Sequence, residues 1–262
     1  MAELSGRDTG DAGTAGRAGR APLLVRYGNF LFHYREALFP AVEFLLLLGL
    51  RPIYPNGSER QDDILDTIGI VVALAGQALR AAVVGYAYIV RGGKNRRVYA
   101  EGLITAGFFA HSRNPLYVGN LLILVGLFLL NNNPWAYALG LPFFFVGYRA
   151  IVAAEEAYLR GKFGPAYDEY ARDVPRWLPR WRGLGETLAG KRFKWRRVIL
   201  KEYGSAFAWA AGAIAILARE ALTYHSYATA APYLRRLGVV LLLLTAAWAT
   251  VMWAKKTKRL KE

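Results

Sequence analysis

Two short segments concentrate the polar chemistry of this 262-residue chain. The first runs from Glu101 to Asn120 and ends in Arg113-Asn114-Pro115-Leu116-Tyr117-Val118-Gly119, preceded by a loop containing Gly102 and Gly107. The second is the pair Glu155-Glu156, forty residues after Pro115. Two apolar stretches separate them, joined by the compact turn Asn131-Asn132-Asn133-Pro134. That turn sends the chain back to the side it came from, so the two segments are expected to meet at the open end of a helical hairpin. Their meeting creates a candidate pocket: a glycine-rich loop, an Arg-Asn-Pro-x-Tyr-x-Gly helix start, and two carboxylates. Asn114 both donates and accepts hydrogen bonds there. Other chemistries are excluded. With no Cys there is no disulfide framework, thiolate metal site or Cys nucleophile. His33, His111 and His225 lie far apart, so a histidine zinc site, or any metal, is not expected.

Each piece also has a purely structural reading. Asn114-Pro115 is a good N-cap and first-turn pair. Tyr117 could anchor at a membrane interface, and Gly119 could allow close helix packing. Glu155 and Glu156 could be solvated residues past a helix end. Their convergence at one end of one hairpin is what favours a site.

The elements that must position these residues are membrane helices. The chain is 55% hydrophobic yet carries a net charge of +15, with a positive mean hydropathy of +0.19. Such a composition requires the apolar residues to be segregated from the charges in blocks. Six blocks are visible: residues 37–54, 64–90, 116–130, 135–154, 203–222 and 237–254. A hydrocarbon core of ~30 Å needs about 20 helical residues, so the reading is an all-α polytopic membrane bundle of about six transmembrane helices with a hairpin core. Segments 1–36, 91–115, 155–202 and 255–262 hold 27 of the 34 Lys and Arg, whereas the opposite loops hold 5. The positive-inside rule then puts both termini in the cytoplasm, in the plasma (inner) membrane if the source is bacterial. Basic loops facing anionic lipid headgroups account for the charge, and nucleic-acid binding is not expected.

The expected organisation is a disordered tail (1–21), a membrane domain (22–182) that opens with an interfacial lead-in helix over 22–35, a basic interfacial connector (183–202) and a two-helix extension with a basic tail (203–262). Arg80 falls inside a span, where an Arg costs on the order of 2.5–3.5 kcal/mol. Either Glu43 pairs with it or it lines the pocket. The small residues between Gly69 and Gly85 are expected to form a close-packing seam.

Taken together, the motifs resemble the integral-membrane methyltransferases typified by isoprenylcysteine carboxyl methyltransferase and the phospholipid methyltransferases. The matching pieces are Leu103/Thr105/Gly107, Arg113 through Gly119, Glu155-Glu156, Phe163-Gly164-Pro165-Ala166-Tyr167-Asp168-Glu169-Tyr170 and Val174-Pro175-Arg176-Trp177-Leu178-Pro179. Asn114 stands where the prenylcysteine branch usually has His; phospholipid methyltransferases often have Asn there. The resemblance implies S-adenosyl-L-methionine as cofactor, with Arg113, Asn114, Pro115, Tyr117, Gly119, Glu155, Glu156 and Gly107 around it, and a lipid-like or prenylated methyl acceptor. Adjacent helical positions point ~100° apart, so one carboxylate is expected to face the cofactor and the other to hold a basic loop residue. Tyr167 and Arg176 are the candidate catalytic residues, on an amphipathic lid in the headgroup region, with Arg176 pairing an anionic acceptor. Two alternatives stay open: a sterol-reductase-like enzyme using NADPH, and a non-catalytic scaffold of the same fold.

Overall fold

The computed structural model describes residues 21–86 and 98–260, in which every regular element is helical. The expected tail lies outside the described residues except for Ala21, as does much of the basic loop around residues 91–97. The helices are α1 (Leu23–Gly49), α2 (Glu59–Tyr86), α3 (Pro115–Asn131), α4 (Leu141–Phe163, entered through a π-helical turn at Ala136–Gly140), α5 (Pro165–Asp173), α6 (Leu184–Leu188), α7 (Trp195–Tyr224) and α8 (Tyr227–Lys256). By length and composition, four helical stretches can cross a membrane: α2, the π turn with α4, α7 and α8. The 17-residue α3 is apolar but shorter.

The lead-in helix and first apolar block are one element. Nothing between Arg35 and Ala37 breaks the helix, and Pro40 is accommodated within α1. Because α1 also carries Arg26, Arg35, Glu36 and Glu43, it reads as a spanning segment less cleanly than its length suggests.

Local sequence explains the ends that matter. Pro115 occupies the first turn of α3, where its missing N–H is no loss. The helix closes at Asn132, whose left-handed φ of 46° is one that Asn tolerates. The three-Asn turn then ties α3 to the end of α1. Asn131 donates to the Leu47 carbonyl at 2.9 Å, Asn132 to that of Ile53 at 2.8 Å, and Asn133 to that of Arg51 at 2.7 Å. Gly164, at φ +54°, ends α4 and lets Pro165 start α5.

Packing follows the glycines. Gly69 faces Gly126 and Gly76 faces Gly119, so α2 and α3 cross antiparallel with backbones nearly touching. A Cβ on Gly76 would lie 2.6 Å from the Gly119 carbonyl oxygen. The expected seam is therefore real, and its last member, Gly85, instead receives the Phe193 ring. A second close approach sets Gly28 of α1 against the Ala150 backbone of α4. The α3–α4 hairpin is correspondingly splayed rather than tightly packed: α3 leans on α2 and α4 on α1. Large side chains such as Phe128, Phe144 and Tyr148 fill part of the gap. The rest of it is cavity. Helix α8 touches chiefly α7, and Ala230 is its single buried residue.

Candidate active site

A cavity of about 1340 Å³ opens between α1, α3, α4 and α7. Of the residues expected at the pocket, Arg113, Asn114, Pro115, Tyr117, Glu155, Glu156 and Tyr167 line it. Gly107, Gly119 and Arg176 do not. Gly107 starts the short 3-10 turn Gly107–Ala110 with φ +66°, and Gly119 is filled against by Gly76 and the Arg80 side chain.

The two carboxylates split their contacts. Glu155 accepts a hydrogen bond from the Tyr117 hydroxyl at 2.7 Å, and that hydroxyl accepts one from Arg35 of α1 at 3.0 Å. Glu156 instead binds Arg176 through two guanidinium nitrogens, Nε at 2.9 Å and Nη2 at 2.6 Å, and also Arg113 at 3.2 Å. The fork of Arg176 is thus already engaged by protein, which makes it a clamp on Glu156 rather than a free site for an anion.

The wall itself is held by an exchange between two segments. Arg113 N–H donates to the Pro175 carbonyl at 2.9 Å, the Asn114 side chain to that of Arg176 at 2.9 Å, and Ser112 to that of Trp177 at 2.7 Å. Asn114 occupies the N-cap position of α3, but its side chain makes no cap bond; it spends its amide on the opposite strand of this exchange. His111 is also committed to structure. Its ring nitrogens sit 2.6 Å from the Arg180 carbonyl and 2.8 Å from the Thr187 hydroxyl, and its ring is not on the cavity wall. The lid expected over residues 163–179 is in fact α5 followed by this stitched segment. Within α5, burial raises the Tyr167 phenol above its ordinary pKa, with the nearby Glu156 carboxylate adding to the shift. Tyr170 is pushed up by burial too, and donates to the Phe109 carbonyl at 2.8 Å. Both phenols are therefore protonated at neutral pH, when they can donate but not act as phenolate bases.

Arg80 lines the cavity, and its carboxylate partner is Glu202 of α7 rather than the expected Glu43. The contacts are 2.9 Å and 3.2 Å, and Arg80 bonds Asn120 of α3 as well. Gln77, one turn before Arg80, donates to the same Glu202 at 3.1 Å and accepts from Trp209 at 3.0 Å. Arg80 and Glu202 are both buried, with side chains 6% and 4% exposed. This network pins α7 to α2 and α3, so a helix beyond the recognisable motifs completes the cavity. Sequence reasoning missed Arg35, Asn120, Tyr148 and the α7 residues. One signal was available: Gln77 and Arg80 lie one turn apart in an apolar span, and so demand a shared partner.

The remaining wall is mostly apolar. From Arg35 to Leu48 of α1 the lining extends about 20 Å by helical rise. It passes Phe39, Phe44 and Leu47, with Leu124 and Leu127 of α3 and Ile216 of α7 opposite. Glu36 and Glu43 are acidic side chains along this stretch of α1, Glu36 beside Arg35 at the charged end and Glu43 among the apolar residues. The cavity as a whole exceeds the roughly 300–1,000 Å³ of ordinary small-molecule pockets.

Comparison with known proteins agrees with the resemblance. Residues 69–166 match the family model for phospholipid methyltransferases. The chain is 29% identical over 109 residues to the protein-S-isoprenylcysteine O-methyltransferase of Schizosaccharomyces pombe, covering 40% of this chain and 45% of that one. It is 36% identical over 78 residues to a cobalt-zinc-cadmium resistance protein of Cupriavidus metallidurans, and 35% over 78 residues to a nickel-cobalt-cadmium resistance protein of Alcaligenes xylosoxydans xylosoxydans. Each of those two alignments covers 30% of this chain and 36% of the relative. The chain thus spans less than half the length of the curated relatives it matches. No solved structure matches it significantly.

Proposed function

We propose that this chain is an integral-membrane methyltransferase that uses S-adenosyl-L-methionine and acts on a lipid-like or prenylated acceptor at the cytosolic face. The observation that carries the reading is the cavity itself, charged at the Arg113–Glu155 end and apolar along α1, α3 and α7. When bound, the cofactor supplies a methyl group on a sulfonium, which a nucleophile can take by in-line displacement.

The residues present fit such a donor. Its sulfonium and ammonium are cations, and Glu155 offers a carboxylate whose orientation is fixed by Tyr117 and Arg35. Its carboxylate suits a guanidinium, and Arg35 and Arg113 both reach the wall. Glu156, held by Arg113 and Arg176, keeps the stitched segment in place behind them. The apolar arm accepts a hydrocarbon chain, excludes water and fixes the acceptor's direction of approach, which is where positioning and desolvation gain rate. Arg176 is assigned a positioning role through Glu156, and Tyr167 donates from the cavity wall. In this reading α1 and α3 complete six spans, with both termini on the basic, cytoplasmic side and, in a bacterium, within the inner membrane.

The test is equilibrium binding of labelled S-adenosyl-L-methionine to the purified chain and to Glu155→Gln. The wild type is expected to bind one equivalent, and the variant at least 10-fold more weakly, in line with loss of a charged hydrogen-bonding partner worth about 1.5–3 kcal/mol. Equal affinity in the two proteins would remove Glu155 from the cofactor site.

A further inference from the structure

At the other end of α2, three carboxylates converge, and no cation among the described residues balances them. Asp62 and Asp66 sit one turn apart on the same face of α2, and Glu220 reaches them from near the end of α7. One oxygen from each lies within 4.8 Å of the others. Asp62 and Glu220 are 4% and 8% exposed. Glu220 Oε2 is shielded from solvent and has no hydrogen-bond partner, and neither has Asp66 Oδ1. No lysine, arginine or histidine among the described residues forms an ion pair with the three. The neighbouring Arg219 turns away to the Leu50 carbonyl, and His225 lies against Glu59 at 3.6 Å. None of the three lines the large cavity, and Asp62 lies about 27 Å from Arg80 along the helix.

Buried like charges this close repel strongly unless a positive charge, or protons, come between them. We propose that Asp62, Asp66 and Glu220 bind a hard divalent cation, with Ca²⁺ preferred. All three donors are carboxylate oxygens, the ligand class suited to Ca²⁺, Mg²⁺ and Mn²⁺ rather than to softer metals. One ligand oxygen of each residue lies within 4.8 Å of the other two, close enough for small side-chain adjustments to bring all three to a single ion at Ca–O distances of about 2.4 Å. Mg²⁺ needs ~2.1 Å and a near-octahedral shell, whereas Ca²⁺ accepts irregular oxygen shells, which suits donors carried on two separate helices. Orphaned Glu220 Oε2 and Asp66 Oδ1 gain their missing partner. The absence of Cys and of clustered His bears only on nitrogen and sulfur sites and leaves this oxygen site open. The ion would cross-link the start of α2 to the end of α7, at the bundle end opposite the Arg80–Glu202 pair. The inference is independent of what the large cavity binds.

The full chain, purified in detergent and stripped with chelator, is the material for the test. Adding CaCl₂ is expected to raise the thermal midpoint saturably, by about 5–10 °C at a hundred-fold excess over Kd, with a smaller effect of MgCl₂. In Asp66→Asn/Glu220→Gln the rise should vanish, while the cation-free midpoint equals or exceeds that of the wild type because repulsion is relieved. The proposal is overturned by the same rise in the double variant, or by no rise with Ca²⁺, Mg²⁺ or Mn²⁺. Stabilisation by mild acid alone, with cations inert, would overturn it too, since protons then hold the cluster. Should the variant fail to fold, dialysis of the wild type against radiocalcium decides: about one ion retained per chain supports the site, and none retained refutes it.

Discussion

At the scale of single residues, neighbouring acids carry different loads because their environments differ. Glu156 holds two guanidinium groups, yet the two are not equivalent: the Arg176 side chain is 44% exposed and that of Arg113 only 12%. Truncating Arg176 to Ala removes a half-exposed partner and leaves Glu156 still paired with Arg113, so it should cost about 1 kcal/mol. Truncating Glu156 to Ala strands the buried Arg113, whose Nε already lacks a partner, and should cost about 3–5 kcal/mol. Thermal or denaturant unfolding of the two variants checks the order; equal losses would show that Glu156 is not the keystone. Much of this neighbourhood was legible in the sequence, because Arg113, Asn114, Tyr117, Glu155 and Glu156 sit in two short runs that one turn brings together. Their individual duties were not. Asn114 looks like a cap, and only the approach of residues 175–177 reveals that its amide is spent elsewhere. Arg176 looks like an anion receptor until Glu156 is seen to fill its fork.

At the scale of elements, the glycine seam decides which helices touch. Gly76 leaves no room for a methyl group, since its nearest obstructing atoms, the Gly119 carbonyl oxygen and the Ile123 nitrogen, are backbone and cannot swing aside. Gly76→Ala should therefore force α2 and α3 apart and cost roughly 1–3 kcal/mol. By contrast, Gly102→Ala, on the cavity rim with open space around its Cβ position, should leave stability unchanged. Comparing the two melting midpoints separates a packing effect from a general intolerance of glycine replacement. The α2 side of the seam was readable from the small residues between Gly69 and Gly85, but that Gly119 and Gly126 of α3 lie opposite was not, because a pattern within one helix does not say which helix faces it. Nor was the partner of Arg80. Helical rise places Glu43 at a suitable depth, but depth does not say which helix is adjacent, and Glu202 wins because α7 lies against α2. Likewise, the apolar pattern around residues 22–54 cannot show whether one helix or two is present; that depends on whether Pro40 breaks α1, and it does not.

At the scale of the whole molecule, helices pair off around a gap. With α3 on α2 and α4 on α1, the hairpin that carries the motifs opens instead of closing, and α7 seals the opening through Glu202. The charged rim and the apolar arm consequently belong to one chamber. A single chamber for methyl donor and lipid-like acceptor is the claim on which the functional account rests. Supplying methyl-labelled S-adenosyl-L-methionine to membranes containing this chain, then extracting them with organic solvent, tests it most directly. The account predicts label in the lipid extract with the wild type, and at least a 10-fold lower yield with Glu155→Gln at equal protein level. Label that remains entirely in the aqueous donor, or that reaches the extract equally with both proteins, would contradict it.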